Sequence, residues 1–459
     1  MDFSKINKVH IVGIGGIGVS AVAKIFLEQG KIVSGSDVSP SELTVNLAKR
    51  GVKIFYGHDG SNLPVDADLL IYSPAVPETN PERQKAEELN ILQKSYPEFL
   101  GVFSHAKKTI AVSGTNGKST TTAMLGKIFA AAGLDPTVIV GTQVPGFDGN
   151  FRHGNSDLLI AEACEWKGHM LNLLPQTIIL TNLEPDHLDF YKNLEELKHY
   201  FQKYLNNLPL TEGKLIYNAD DASLKSLIKN KGYQVKSWSV NFEEADYRAT
   251  DIVFKKQKID FKVNGHLLSL KIPGTFNIYN ALAAAACARE FKIDWKIIKE
   301  SLAEFTGSWR RFEKVGPVKG KKNALVISDY AHHPTALAGT LKAAKDFYPD
   351  KRLVVAFQPH HFDRTAKLFN DFAKSFAWAD VLVVCQVYDV VGREQDGQRT
   401  IGGQELAQAI QKLNPLKEIY YAPDLEQTEK ILREKIQPND LVLIVGAGDI
   451  DQIARSLIK

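Results

Sequence analysis

From residue 8 onward, short runs of β-branched and other apolar residues alternate with longer stretches whose apolar positions recur every three or four residues. That alternation predicts parallel sheets covered by helices rather than a sandwich or a helical bundle. The first group of strands is "VHIVGI", "KIVSGSD", "GVKIFYG" and "DLLIYSPAVP", each stopped by Gly, Asp or Pro. After "EFLGVFSHAKK", a polar, basic break at 105–108 precedes a new strand, so a boundary is expected near residue 104. A second group contains "TIAVSG", "DLLIAEA", "TIILTN" and "GKLIYNADD". The Lys-rich segment from Tyr247 to Ile272 then reads as antiparallel hairpins, and the Ala-rich "NIYNALAAAACAREF" reads as a helix of high intrinsic propensity. "FTGSWRRFEKVGPVKGKKN" has Gly, Pro and charge but little periodicity; it reads as a linker, with a boundary near 308. Strand and helix alternation resumes with "ALVISDY", "RLVVAFQ", "DVLVVCQVY", "EIYYAP" and "DLVLIVGAG". Three α/β domains are therefore expected, at 1–104, 105–308 and 309–459.

Composition narrows the class only slightly. Of 459 residues, 44% are hydrophobic and 24% charged, as in an ordinary globular protein. Lys plus Arg number 56 against 53 Asp plus Glu; the net charge of +3 gives no field that argues for nucleic acid or a membrane surface. Cys164, Cys287 and Cys385 are far apart and in no metal-like spacing, so each reads as a small buried residue in a reducing compartment. The N-terminus shows no signal-type pattern and no apolar run is long enough to span a bilayer, which predicts a cytoplasmic protein.

The first candidate chemistry is "GIGGIG", with Gly13, Gly15 and Gly18 in G-x-G-x-x-G spacing and Gly16 between them. It lies between a strand and a helix, with Asp37 about 20 residues on at the end of the next strand. Glycines let the backbone approach a pyrophosphate, and a helix N-terminus supplies amide donors and positive partial charge. NAD, FAD and a nucleotide sugar all present a pyrophosphate beside a ribose, so a hydride-transfer enzyme stays open here. A tight turn that binds nothing is the bland alternative.

A second cradle, "SGTNGKSTTT", again joins a β-branched run to a helix. In the loop Gly114, Thr115, Asn116 and Gly117, backbone amides are offered, with Lys118 as a cation for terminal phosphates and the Ser119 hydroxyl for a magnesium ion. Walker A spacing would place a glycine at 112, where this chain has Val112, so the loop is a shortened one. Downstream, "LLIAEACEW" places Glu162 at the end of a strand, and "IILTNLEPDHLDFY" does the same for Asn182, Asp186 and His187. Ligands collect at that edge of a parallel sheet. Glu162 and His187 are thus candidate Mg²⁺ partners, although His is an unusual one.

Together these motifs resemble the muramyl (Mur) ligases, ATP-dependent amide-forming enzymes of peptidoglycan synthesis, over essentially the whole chain. "SGTNGKSTTT" resembles that family's ATP loop, "EACEWKGHMLNLLPQTIILTNLEPDHLDFY" its metal segment, "GTFNIYNALAAAA" its adenine-side helix, and "RRFE" with "SDYAHHPTAL" its domain junction. The resemblance implies a Rossmann-like N-terminal domain, a central P-loop ATPase-like domain and a Rossmann-like C-terminal domain. "GIGGIGVSAVA", "SGSD" and "FQPHHFDRT" are similar to the members that add the first amino acid, L-alanine, to UDP-N-acetylmuramate; members that attach a tripeptide share part of this pattern. Asn116 and Ser119 stand where such members more often carry His and Thr.

By the same resemblance, Gly13, Gly15, Gly16, Gly18, Asp37 and Ser73 would hold the UDP substrate. Lys118 would neutralise the ATP phosphates, with Lys118, Glu162 and His187 as the catalytic set and Ser119, Thr120, Glu162 and His187 on the metal. Asn277 and Asn280 would face the nucleotide base, and Arg311 and Asp329 would approach ATP. His332 and His333, with His360 and Arg364, would contact substrate or phosphate, and "VGREQDG" at 391–397 would border the amino-acid site. An exposed arginine stacked on Phe312 is the bland reading of "RRFE", and tight packing that of the final "VGAGDI". ATP and Mg²⁺ are the implied cofactors, UDP-N-acetylmuramate and L-alanine the substrates, and a monomer or homodimer the expected state. Ligands spread over three domains would make the two linkers hinges.

Overall fold

Three sheets take up the apolar runs. The computed structural model describes residues 3–187, 190–228, 232–389 and 401–459. The first sheet comprises β1 (Lys8–Val12), β2 (Ile32–Asp37), β3 (Lys53–Tyr56), β4 (Leu69–Tyr72) and β5 (Leu92–Ser95), all parallel in the order β3-β2-β1-β4-β5. Crossing from β1 to β4 reverses the direction of travel, and a crevice opens between the C-terminal ends of β1 and β4, where open α/β sheets bind ligands.

The second sheet is built on β6 (Lys108–Ser113), flanked by β9 (Leu158–Glu162) and β10 (Thr177–Leu180), both parallel to it. β7 (Thr137–Ile139) and β8 (Phe151–Arg152) close one side; β11 (Lys214–Asn218) and β12 (Gln234–Ser239) extend the other. β13 (Tyr247–Lys255), β14 (Lys258–Val263) and β15 (His266–Leu270), all within the segment read as hairpins, continue it, giving the order β15-β14-β13-β12-β11-β10-β6-β9-β7-β8. The Ala-rich helix forms over Thr275–Glu290.

The third sheet orders β16 (Glu313–Pro317), β17 (Leu325–Asp329), β18 (Leu353–Phe357), β19 (Val381–Cys385), β20 (Glu418–Ala422) and β21 (Leu441–Val445) as β16-β17-β21-β18-β19-β20. β18, β19 and β21 are buried along their whole length, as a parallel sheet covered on both faces requires.

Two expectations change. The stretch read as a linker contains β16, which pairs antiparallel with β17 at the sheet edge; an edge strand with a bulge between Lys314 and Gly316 needs no apolar alternation. Cys287 and Cys385 are buried, but Cys164 is exposed, because it lies beyond the end of β9.

By packing, the chain divides into two units: residues 1–250, 263–266 and 279–302, and residues 251–262, 267–278 and 303–459. The first unit holds both glycine loops. Within it, the segment between β7 and β8 is strapped to the first sheet's helix Ile17–Glu28. Asn150 Nδ2 donates to the Ile17 carbonyl, the nearly buried Lys24 ammonium donates to the Asp148 carbonyl at 2.5 Å, and Arg50 pairs with the Asp148 carboxylate at 2.5 Å.

Candidate active site

The first loop opens on a cleft of about 490 Å³ lined by Gly13, Gly15, Gly16, Asp37 and Ser73 among others. Gly13 has φ +75°, and a Cβ there would press on Ser73, so the turn needs glycine. Asp37 Oδ2 accepts the Gly15 amide at 2.8 Å and Oδ1 accepts the Val38 amide at 2.8 Å; the carboxylate shapes the loop itself. Gly18, the second residue of the helix Ile17–Glu28, is not among the residues lining the cleft, and a Cβ there would lie 2.7 Å from the Tyr96 ring. The Tyr96 phenol is pushed up first by burial and then by the charges of Glu162 and Cys164.

The second loop is clamped from β10's C-terminal end. Asn182 Oδ1 accepts the Asn116 amide at 2.8 Å, Thr181 Oγ1 donates to the Asn116 carbonyl at 2.6 Å, and the Asn182 carbonyl accepts the Thr115 amide at 3.0 Å. Gly114 (φ +128°) and Gly117 (φ +83°) lie in the left-handed region and leave no space for a Cβ, the first against Thr181 and the second against Asn280. The helix Lys118–Ala131 follows, with Ser119 and Thr120 buried in its first turn. Asn280 therefore lies against the loop and also meets Thr121 Oγ1 at 3.4 Å. Asn277 instead donates to the Pro273 carbonyl in the other unit.

Lys118 folds back over its own loop. Its ammonium donates to the carbonyls of Gly114 (2.6 Å) and Thr115 (3.0 Å) and pairs with Glu165 at 2.9 Å. Glu165, 1% exposed, also meets His187 Nε2 at 3.5 Å, and Glu165, Asp186 and His187 present ligand atoms within 4.8 Å of one another. Burial pushes the Glu165 carboxyl up, but the Lys118 charge and the His187 hydrogen bond outweigh it and hold it below the usual range. Burial likewise pulls the Lys118 ammonium down, and Glu165, Cys164 and Glu162 more than restore it. His187 carries φ +52°, a strained conformation for a non-glycine residue that turns it back toward this cluster.

Glu162 stands apart from that group. At the end of β9 its carboxylate accepts the Gly141 amide at 2.7 Å, while Glu165, three residues later, turns toward Lys118. The carboxylate that joins Lys118 to His187 is thus Glu165, which the sequence reading passed over. Its only signal was that "EACEW" contains two acidic residues beside a strand end.

In the second unit, Asp329 is buried and accepts the amides of Phe312 (2.7 Å) and Ala331 (2.8 Å); burial pushes its carboxyl up. Arg310 is also buried, donating to the carbonyls of Gly446 and Gly448, so the final "VGAGDI" turn packs tightly around it. Arg311 stacks on Tyr330 at 5.0 Å, and the ring is not Phe312, which is buried in the core. His332 and His360 approach with ring centroids 6.2 Å apart, His333 precedes the helix Pro334–Phe347, and Arg364 lies on Phe362–Lys367. The expected amino-acid segment at 391–397 lies outside the described residues.

Two phosphate-type loops on α/β sheets, one of them with a Lys, carboxylate and imidazole cluster, define a nucleotide-dependent group-transfer protein. The chain belongs to the Mur ligase family: it matches that family's catalytic domain over residues 8–108, its middle domain over 112–288 and its glutamate ligase domain over 310–448. It is a ligase of this ATP-using, three-domain architecture. Among its relatives, the UDP-N-acetylmuramate–L-alanine ligase of Sulfurihydrogenibium sp. is 37% identical, over 99% of this chain and 98% of that one. The enzyme of the same name from Clostridium novyi is 40% identical over 100% and 99%. A solved UDP-N-acetylmuramate-alanine ligase from Thermotoga maritima superposes with a TM-score of 0.84 at 31% identity, covering 98% of each chain. A murein peptide ligase from Psychrobacter arcticus gives 0.69 at 25% identity, again over 98% of each. Among the described residues no helix is long and apolar enough to cross a membrane.

Proposed function

We propose that the chain joins L-alanine to UDP-N-acetylmuramate at the expense of ATP, forming UDP-N-acetylmuramoyl-L-alanine, ADP and phosphate for peptidoglycan synthesis in the cytoplasm, as a monomer or homodimer. Its full-length likeness to relatives bearing that activity in their names supports the amino acid and the acceptor. The observation that carries the chemistry is the Lys118–Glu165–His187 cluster, in the same unit as a second, separate glycine-lined cleft.

In this reading a muramate carboxylate oxygen attacks the γ-phosphorus of ATP and ADP departs, leaving an acyl phosphate. The L-alanine amine then attacks the acyl carbon, phosphate leaves, and the nitrogen gives up a proton. Amide formation from a free carboxylate runs uphill in water, and phosphorylation turns the poor leaving oxide into a good one. Catalysis is mostly positioning and charge neutralisation. Lys118 exchanges the Gly114 and Thr115 carbonyls for β/γ-phosphate oxygens, and the amides of Gly114 to Thr120 cradle them.

The donor set suits Mg²⁺: two carboxylates at Glu165 and Asp186, the Ser119 hydroxyl, and the His187 imidazole as its one nitrogen. When bound, the ion would neutralise charge on the transferring phosphoryl group. Glu165 takes the carboxylate role expected of Glu162, and Glu162 anchors the Gly141 end of β7 beside it. Gly13, Gly15, Gly16, Asp37 and Ser73 hold the UDP part, with Gly18 setting the helix against Tyr96. Asn280 and Asn277 serve the base; Arg311 and Asp329 serve ATP; His333, His360 and Arg364 serve anionic oxygens of the substrate. We place domain limits at 1–104, 105–308 and 309–459, a reading supported by the edges of the three family matches. Phosphate release measured with UDP-N-acetylmuramate against L-alanine, glycine, L-serine and the tripeptide tests this reading. L-alanine should win, and preference for the tripeptide would replace it with the recycling reaction.

A further inference from the structure

Beneath the first glycine loop lies a polar network that the reaction above leaves without a task. Glu82, fully buried at the start of the helix Pro81–Glu88, accepts hydrogen bonds from His10 Nε2 at 2.6 Å and Ser36 Oγ at 2.8 Å on one oxygen, and from His58 Nδ1 at 3.0 Å on the other. His10, also fully buried, meets Ser34 Oγ at 2.9 Å through its second nitrogen. A buried carboxylate is costly, and a shape-matched apolar set would commonly serve stability as well. The network is therefore expected to serve something it reaches, and the member that reaches the cleft with a titratable ring is His58.

Three facts define what His58 can do there. Its Nδ1 is committed to Glu82 and Ser36, and no described residue bonds its Nε2. Its side chain keeps 21% of its surface, at the cleft wall. Among the residues lining the cleft it alone can carry a positive charge; no Lys or Arg lines it, and Asp37 has each oxygen engaged by a backbone amide. A diphosphate entering this cleft brings at least two negative charges and finds one side chain able to answer them.

We propose that His58 binds the diphosphate of the UDP substrate, Nε2–H donating to a phosphate oxygen while Nδ1–H donates to Glu82, so that the bound ring uses both N–H groups. Glu82 is the positioning residue, with its other oxygen held by His10 and Ser36 so that the ring faces the cleft. Asn80 fixes the register: its Oδ1 caps the helix by accepting the Glu82 amide at 3.0 Å, and Asn80 lines the same cleft. The inference rests on the reading that this cleft holds a UDP-linked substrate.

The test titrates the full-length protein calorimetrically with UDP and with uridine, as wild type, His58→Ala, His58→Gln and Glu82→Gln, with a thermal melt to confirm folding. Losing a charge-assisted hydrogen bond should weaken UDP binding about 10- to 100-fold in His58→Ala. It should leave uridine binding within about twofold, because the neutral nucleoside lacks the partner. In turnover, KM for the UDP substrate should rise by a similar factor with kcat within about threefold, a split that general loosening would not give. Glu82→Gln should move UDP affinity the same way by about three- to tenfold, because the ring loses its fixed orientation. UDP affinity within twofold of wild type in folded His58→Ala and His58→Gln would overturn the proposal, as would equal losses for UDP and uridine. Wild type that binds UDP and turns over while the His58 variants match it sinks this inference alone. Wild type that binds neither UDP nor uridine sinks the reading of the cleft as well.

Discussion

The two glycine loops share a strand-loop-helix design but are braced in opposite ways. The first is stiffened by side chains from below: Asp37 holds the Gly15 amide, and Glu82 gathers His10, Ser36 and His58 beneath the cleft. The second is clamped from the side by one neighbouring segment, residues 181–184, whose side chains and carbonyls hold Thr115 and Asn116, and its charges face inward onto one another through Lys118 and Glu165. A loop that only has to hold a ligand can spend its polar groups on shape. A loop that has to manage moving charge keeps a cation and an anion poised, each stabilised by the other until a phosphate arrives.

The sharpest way to break that comparison is Lys118→Ala. It should cut kcat/KM by about 10³-fold or more, about 4 kcal/mol, while UDP affinity in the first cleft stays near wild type. Steady-state phosphate release and a UDP titration on one preparation would check both halves. Glu165→Gln keeps the shape and removes the charge, so a loss of about 10²-fold is expected, against less than about tenfold for Glu162→Gln, whose carboxylate accepts the Gly141 amide and acts on Lys118 through charge alone. Equal losses would return Glu162 to the centre of the chemistry.

Backbone substitutions give the next effect. Gly117→Ala forces a left-handed residue into Asn280 and should weaken ATP binding together with about 1–3 kcal/mol of stability; Gly18→Ala should cost similar stability through Tyr96, visible in a denaturant midpoint, with ATP affinity retained. The smallest effect is a pH dependence. Glu165 is held below its ordinary range in the fold, so its pairing contributes stability above about pH 4.3, the unfolded value, and loses it as pH falls through the lower folded value. The stability difference between wild type and Glu165→Gln should therefore shrink in unfolding curves taken below about pH 4.

Much of this was legible before any coordinates, because phosphate cradles are local. Gly13, Gly15, Gly114, Gly117 and Lys118 sit in unbroken strings between a strand and a helix, and the backbone geometry that demands glycine is set within a few residues. What stayed hidden depends on distant segments meeting. Which carboxylate of "EACEW" faces Lys118 is decided by the turn that follows β9, not by spacing. His10, His58 and Glu82 come from a strand, a loop and a helix up to 72 residues apart, and no periodicity links them. The edge strand β16 escaped notice because a strand with one side unpaired can be built from Glu, Lys, Gly and Pro as readily as from Val and Ile. Nor could the sequence show that Gly18 lies against Tyr96, 78 positions on, where a Cβ would meet the ring at 2.7 Å.

Direct phosphoryl passage from ATP to the sugar acid is the central claim, and an isotope follows it most directly. UDP-N-acetylmuramate carrying ¹⁸O in its carboxylate is turned over with ATP and L-alanine, and the released phosphate is examined by mass spectrometry. An acyl phosphate leaves with one carboxylate oxygen, so ¹⁸O should appear in the phosphate in proportion to product formed. Phosphate free of the label, with amide still accumulating, would contradict the account.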